Sequence, residues 1–352
     1  MANRSTSVTR IGRKLRFTLS RLGNWESWKR VPFKLMVRYV APERPRRFPI
    51  RIQIEATSKC NLSCPCCSHS REKDKGQHLT EEQFRQILDR LPWSPKRVIL
   101  CGVGEPLMNP QFFSFVDLLA ERGIKCEFYT NGTLLTARMQ QAILLRRNID
   151  AISISCDGAR KETFDALRLG ADFDRWKQSV REFLIAVKHQ RERVLSVGAN
   201  IVVAKQNLAE IGDIVRLAAN LGFDSVGIID PVPVDDTAAA YCPSLLELSA
   251  VHREELFALA RRLGLKILYF LRRGTSAPKL LLRCMQPWEY VFIRANGDVA
   301  PCCAVFGSEK AAVMGNILQQ EFDDIWHGER FRAFRRSYVL GTNPLCRICP
   351  YA

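Results

Sequence analysis

The chain has 352 residues, and none of its apolar runs approaches the roughly 18 residues that a spanning helix needs. Its N-terminus is basic but has no apolar stretch followed by a small-residue cleavage site, so no secretory signal is read. A cytoplasmic protein is expected. Thiols stay reduced in that compartment, so the 13 cysteines point to metal or cluster ligation rather than to disulfides. Acidic residues are also scarce: 36 Asp and Glu face 53 Lys and Arg, a net charge of +17. No nucleic-acid motif with interleaved aromatics accompanies that charge, which disfavours DNA or RNA as partner. An anionic membrane, an acidic partner or a merely solvated basic surface remain.

The shortage of acid is sharpest in residues 1–49, where only Glu26 and Glu43 oppose a series of basic residues from Arg4 to Arg47. Ile11, Leu15, Leu19 and Leu22 recur there at helical spacing, so a helix is expected that either lies on a membrane surface or covers its own domain. Pro42 and Pro45 mark an extended lead-in.

From residue 50 to about 230 strand and helix patterns alternate. Strand runs fall at 50–56, Arg97–Cys101, Ile124–Thr130, Ala151–Cys156, Val197–Val203 and Ser225–Ile229. Helices are expected after Thr80, where Thr80 and Gln83 form a capping box, and over 111–122, 137–147, 175–190 and 208–221. Repeated βα units specify a parallel sheet with function at the C-terminal strand ends. Six units are too few for a closed eight-fold barrel, so a partial (βα)6 TIM-like barrel of the α/β class is expected. The loop from Asp230 to Asp236 reads as a lid or a plain surface connection. A helix over 249–263 and a short strand at Lys266–Phe270 follow. Residues 272–278 read as a linker, which divides the chain into a basic extension (1–49), a barrel (50–271) and a small cysteine-rich domain (272–352).

The densest chemistry is Cys60-Asn61-Leu62-Ser63-Cys64-Pro65-Cys66-Cys67, directly after the first strand. Cys60, Cys64 and Cys67 have the spacing C-x3-C-x2-C. Three thiolates on a 4Fe-4S cube would leave one iron open. Zinc is the competing reading, with His69 as a possible fourth ligand. Polar or small residues end the next strands: Gly102-Val103-Gly104-Glu105, Thr130-Asn131-Gly132 and Ser155-Cys156-Asp157-Gly158. These place a permissive backbone and carboxylates on the same rim as the cysteines.

Together these motifs resemble the radical S-adenosylmethionine (radical SAM) superfamily over roughly residues 50–230. The resemblance implies that Cys60, Cys64 and Cys67 ligate the cluster and that S-adenosylmethionine chelates the open iron. It also implies that Gly102, Val103, Gly104 and Glu105 hold the methionine amine, that Ser155 and Asp157 lie near the ribose and carboxylate, and that Arg168 suits the methionine carboxylate. Two positions depart from the family pattern: Cys66 stands where an aromatic is usual, and Val103 where a glycine is.

Towards the C-terminus, Asn296-Gly297 signals a two-residue hairpin that would bring Cys284 and Cys302 together, and Cys346 and Cys349 form a C-x2-C pair. Four such thiols can saturate a second 4Fe-4S cluster or a zinc ribbon. Beside a radical SAM core the pattern resembles the auxiliary-cluster domain called SPASM, in its shortened one-cluster (twitch) form. Cys303 is the alternative to Cys302. Cys101, Cys126 and Cys156 read as core, and Cys242 as an ordinary thiol or a hydrogen donor to a radical.

The resemblance implies an oxidoreductase that cleaves S-adenosylmethionine to a 5′-deoxyadenosyl radical and abstracts hydrogen from a C–H bond. Its electron would come from an external one-electron donor of flavodoxin or ferredoxin type. A two-electron oxidation of a small polar, sugar- or aminocyclitol-like substrate is the leading expectation. The alternatives are a maturase or epimerase of a peptide or sugar, and a non-catalytic iron–sulfur or zinc scaffold. Residues 1–49 look too short and too basic for a winged-helix peptide-recognition domain, which weighs against the peptide.

Overall fold

The computed structural model describes residues 42–71, 76–190, 192, 194–231, 236–244, 247, 253–270, 284–303, 312–347 and 349. The helix expected around Ile11–Leu22 and the linker at 272–278 lie outside the described residues.

All six expected strands form, each within a few residues of its sequence bounds: β1 (Arg51–Ile54), β2 (Arg97–Leu100), β3 (Lys125–Thr130), β4 (Ile149–Ser155), β5 (Ser196–Val202) and β6 (Ser225–Ile229). They pair in parallel in chain order, and β7 (Lys266–Phe270) adds a further parallel strand beside β6. Alternate residues face opposite ways. Ile52, Ile54, Val98, Leu100, Phe128 and Ile154 are fully buried under the covering helices. The other face carries Gln53, Glu127, Tyr129, Ser153, Ser155 and Asn200, and the register sets Tyr129 beside Ser153 and Ser155 beside Asn200. One wall of the partial barrel is therefore apolar and packed, and the other is polar.

The helices between the strands are α1 (Glu81–Asp89), α2 (Phe112–Glu121), α3 (Ala137–Leu144), α4 (Lys161–Leu167), α5 (Phe173–Lys188) and α6 (Ile211–Leu221). The capping box at the start of α1 is present: the Gln83 amide donates to Thr80 Oγ1 at 3.1 Å, and the Thr80 amide donates to Gln83 Oε1 at 3.0 Å. Helix α4 was not anticipated, because its seven residues are too few to show a period; it buries Phe164 and Leu167. Helix α7 (Asp236–Tyr241) begins at the last residue of the loop expected over Asp230–Asp236, and its Ala238 is buried. Helix α8 (Arg253–Arg262) precedes β7. Among the described residues no helix is long and apolar enough to cross a membrane.

The C-terminal region joins the same sheet. After α9 (Gln286–Glu289), strand β8 (Tyr290–Ile293) pairs in parallel with β1, and β9 (Asp298–Ala300) and β10 (Gly315–Asn316) follow antiparallel, giving ten strands in the order β10-β9-β8-β1-β2-β3-β4-β5-β6-β7. The hairpin between β8 and β9 is present, but its connection is three residues, 295–297, rather than two. The Gly297 amide donates to the Arg294 carbonyl at 2.9 Å, and Gly297 then sits at φ 87°. A type I turn followed by one left-handed residue matches the right-handed twist of the strands, which Asn-Gly alone does not distinguish from the two-residue form.

Residues 42–48 strap this region down. Trp288 donates to the Pro42 carbonyl at 2.8 Å, and Phe48 stacks on Trp93 at 4.8 Å. Helices α10 (Phe322–Trp326), α11 (Glu329–Val339) and α12 (Pro344–Arg347) complete the fold. Arg335 on α11 is fully buried; it donates to the carbonyls of Pro287, Glu43 and Trp326 at 3.0, 2.8 and 2.9 Å, and its guanidinium stacks 4.2 Å from the Trp326 ring.

Candidate active site

The cysteine loop leaves the C-terminal end of β1 and turns tightly. The carbonyl of Cys64 accepts the Cys67 amide at 3.1 Å and the Ser70 hydroxyl at 2.7 Å. Buried Leu62 anchors the loop. Asn61 fixes its near end: its side-chain amide donates to Thr133 Oγ1 at 2.8 Å, and its oxygen accepts from Asn131 at 3.0 Å. Burial, and then the nearby charges of Glu105, Cys64 and Cys67, push the Cys60 thiol up to about 11. Cys60, Cys64 and Cys67 thus share one electrostatic neighbourhood. Among the described residues, no three His, Cys, Asp or Glu side chains close on a single ion. Three thiols on one tight loop are the donor chemistry of a 4Fe-4S cube, which takes one thiolate per iron.

Loop 102–105 lies against the cysteine loop backbone. The Glu105 amide donates to the Lys59 carbonyl at 2.9 Å. A Cβ on Gly104 would lie 2.4 Å from both the Lys59 and Thr57 carbonyl oxygens, so only glycine permits this approach. Val103, the departure from the expected glycine, donates its amide to Glu55 Oε1 at 2.7 Å. Glu105 is buried and turned towards β3, accepting from Thr130 Oγ1 and the Asn131 amide, both at 2.7 Å. Burial raises its carboxyl to about 7 against the pull of those donors.

At the end of β4, Ser155 faces the polar wall. Asp157 is buried and pairs with Arg168: the Arg168 Nε lies 2.6 Å from Asp157 Oδ2, and Oδ1 accepts the Val202 amide at 2.8 Å. The resemblance directs both residues to S-adenosylmethionine; the structure turns them towards each other. Cys66 lies near them. Burial, and then the Asp157 carboxylate, push its thiol up to about 12.

The C-terminal cysteines also converge. Burial and the charges of Cys349 and Cys303 raise Cys284 to about 11, while burial and then Cys284 and Cys349 raise Cys346 to about 12. The Cys349 amide donates to the Cys346 carbonyl at 3.3 Å. Cys302 and Cys303 both pack against the small cluster of Tyr290, Phe292 and Ala300. Cys126 and Cys156 are fully buried core, as expected, but Cys101 is half-buried at the rim with Cys303 in its electrostatic surroundings. Cys242 directs its thiol to the Ala238 carbonyl at 3.3 Å.

Sequence reading missed the supporting residues. Glu55 joins Val103 to the Ala295 amide, at 3.1 Å from its second oxygen. Asn109 ties the Ala56 and Leu79 carbonyls at 2.6 and 2.9 Å, and Asn207 donates to the Asp157 and Val202 carbonyls, both at 2.9 Å. No local signal marks these residues: Glu55 follows a strand that already carries Arg51 and Gln53, and Asn109 and Asn207 read as ordinary loop residues.

Both groups of cysteines fall within segments that resemble known families. The radical SAM superfamily profile matches residues 54–218, and an iron–sulfur cluster-binding (SPASM) domain matches residues 284–350. The tungsten-containing aldehyde ferredoxin oxidoreductase cofactor-modifying protein of Pyrococcus furiosus is 27% identical over 319 residues, covering 85% of this chain and 86% of that one. The mycofactocin maturase MftC of Mycolicibacterium smegmatis is 27% identical over 313 residues, covering 86% and 77%. Among solved structures, Streptococcus suis SuiB bound to its precursor peptide SuiA superposes with a TM-score of 0.65 at 19% identity, covering 86% of this chain and 71% of that one. Zinc and the non-catalytic scaffold therefore give way to iron–sulfur clusters, one of them auxiliary, with S-adenosylmethionine as cofactor. The chain belongs to the radical SAM superfamily and is a radical SAM enzyme with a C-terminal SPASM domain.

Proposed function

We propose that this enzyme is a maturase acting on a peptide, with Cys60, Cys64 and Cys67 holding the S-adenosylmethionine cluster and Cys284, Cys346 and Cys349, with Cys302 or Cys303, holding the auxiliary one. The reading rests on one observation: the cysteine loop, loop 102–105 and the ends of β3 and β4 are hydrogen-bonded into a single rim above a polar wall. Of the substrates expected from sequence, the peptide is favoured over the sugar or aminocyclitol, because the PqqA peptide cyclase of Streptomyces rochei is 28% identical over 311 residues, covering 86% of this chain and 82% of that one.

Held at this rim, the cluster with S-adenosylmethionine would supply the radical chemistry for hydrogen abstraction. The chain's own residues orient and shield. Asn61, Asn131 and Glu105 fix the cysteine loop relative to β3. Gly104 lets loop 102–105 present its backbone beside Lys59. Ser155 and Asn200 line the polar wall where substrate would lie. The reductant is a small one-electron donor.

Anaerobic reconstitution followed by iron counting and assay of 5′-deoxyadenosine tests the reading. About eight irons per chain are expected for two cubes. A Cys60→Ala/Cys64→Ala/Cys67→Ala variant should keep only the auxiliary irons and release no 5′-deoxyadenosine. Turnover of small polyols but of no peptide substrate would return the assignment to a small-molecule oxidase.

A further inference from the structure

Arg168 sits just after α4, and two contacts commit it. On one side Nε meets Asp157 Oδ2 at 2.6 Å, and a terminal nitrogen meets the same oxygen. On the other side its remaining terminal nitrogen lies 4.0 Å from Cys64 Sγ. The pair is largely out of water, with side chains 17% and 7% exposed. Neither partner can swing away freely. Asp157 is held from behind by the Val202 amide at 2.8 Å, and the next residue after Arg168, Leu169, accepts the Ser63 amide of the cysteine loop at 2.9 Å. Burial alone would make the guanidinium less basic, but the charges of Asp157, Cys64 and Cys66 outweigh it and keep Arg168 protonated.

Reduction of a 4Fe-4S cube adds one electron and moves no proton on the protein. A cation near one of its sulfurs favours the reduced form, and a carboxylate behind that cation opposes it. Charges this sheltered act on each other with little screening by salt. We propose that Asp157 and Arg168 form a positioning pair that sets the reduction potential of the S-adenosylmethionine cluster. Arg168 raises that potential through Cys64, and Asp157 limits the rise. The inference rests on the reading that Cys60, Cys64 and Cys67 hold that cluster.

The test is a dithionite titration of the reconstituted full-length protein followed by electron paramagnetic resonance. The signal to follow is the one that changes when S-adenosylmethionine is added, which separates this cluster from the auxiliary one. Arg168→Gln should shift the midpoint to lower potential, Asp157→Asn to higher potential, and Arg168→Lys should restore most of the wild-type value. A simple loosening of the loop would move Arg168→Gln and Asp157→Asn in the same direction, and that result, or no movement in either, overturns the proposal. If Arg168→Gln fails to load iron, Asp157→Asn decides alone, and a midpoint at or below wild type overturns it. A wild-type protein with iron but no signal responsive to S-adenosylmethionine would instead overturn the cluster assignment.

Discussion

Glu55 receives the Val103 amide at 2.7 Å on one carboxylate oxygen and the Ala295 amide at 3.1 Å on the other. One side chain at the end of β1 thereby joins the loop that flanks the first cysteine cluster to the hairpin of the C-terminal region. Glu55→Ala would strand both amides away from water, at a cost of about 2–4 kcal/mol. Chemical denaturation should show that loss, together with reduced iron loading. A change within about 0.5 kcal/mol would mean that the two amides find other partners.

Gly104→Ala should be as harmful as many core truncations. Its methyl group would have to occupy space 2.4 Å from two backbone oxygens, and backbone cannot yield as a flexible side chain can. The expected outcome is a loss of about 2–3 kcal/mol and weaker retention of iron by the cysteine loop, read by thermal melting and iron content.

The Glu105 carboxyl, raised to about 7, binds its proton more tightly in the folded state than its ordinary value of 4.5 implies. Its contribution to stability is complete below that ordinary value and is lost as pH rises through about 7. Wild type should therefore lose stability relative to Glu105→Gln between about pH 5 and about pH 8, by on the order of 2 kcal/mol. Parallel denaturation curves for the two proteins at both pH values would count against this account.

Arg335→Met would keep much of the volume but remove three charge-assisted hydrogen bonds to the Pro287, Glu43 and Trp326 carbonyls. Those carbonyls would then lack a donor, and a destabilisation of about 2–4 kcal/mol is expected. The strap at 42–48 should become accessible to protease in the same variant.

Cys66 and Cys67 are neighbours with different surroundings. Cys66 lies by Asp157 and Arg168, whereas Cys67 closes the turn onto the Cys64 carbonyl. Cys66→Ala should retain full iron content and Cys67→Ala should lose about four irons per chain, as measured by iron counting.

The main elements could be read from sequence because each is written locally. The capping box at Thr80 and Gln83, the strand at 97–100 and the spacing of Cys60, Cys64 and Cys67 all declare themselves within a few residues. What escaped depends on partners far along the chain. Glu55 acts on Ala295, and Arg335 acts on Glu43; neither pairing leaves a trace in its own neighbourhood. Helix α4 escaped for a different reason, being too short for its period to show. The same holds for Asp157 and Arg168: the residue types were visible, but not that they would face each other.

Strands β1 and β8 are hydrogen-bonded neighbours, in register from Arg51 with Tyr290 to Ile54 with Ile293. One strand feeds the first cysteine loop, and the other feeds the hairpin ahead of Cys302. The cysteine loop and that hairpin are thus anchored on adjacent strands of one sheet, about 4.8 Å apart, so a displacement of either strand is carried to the other.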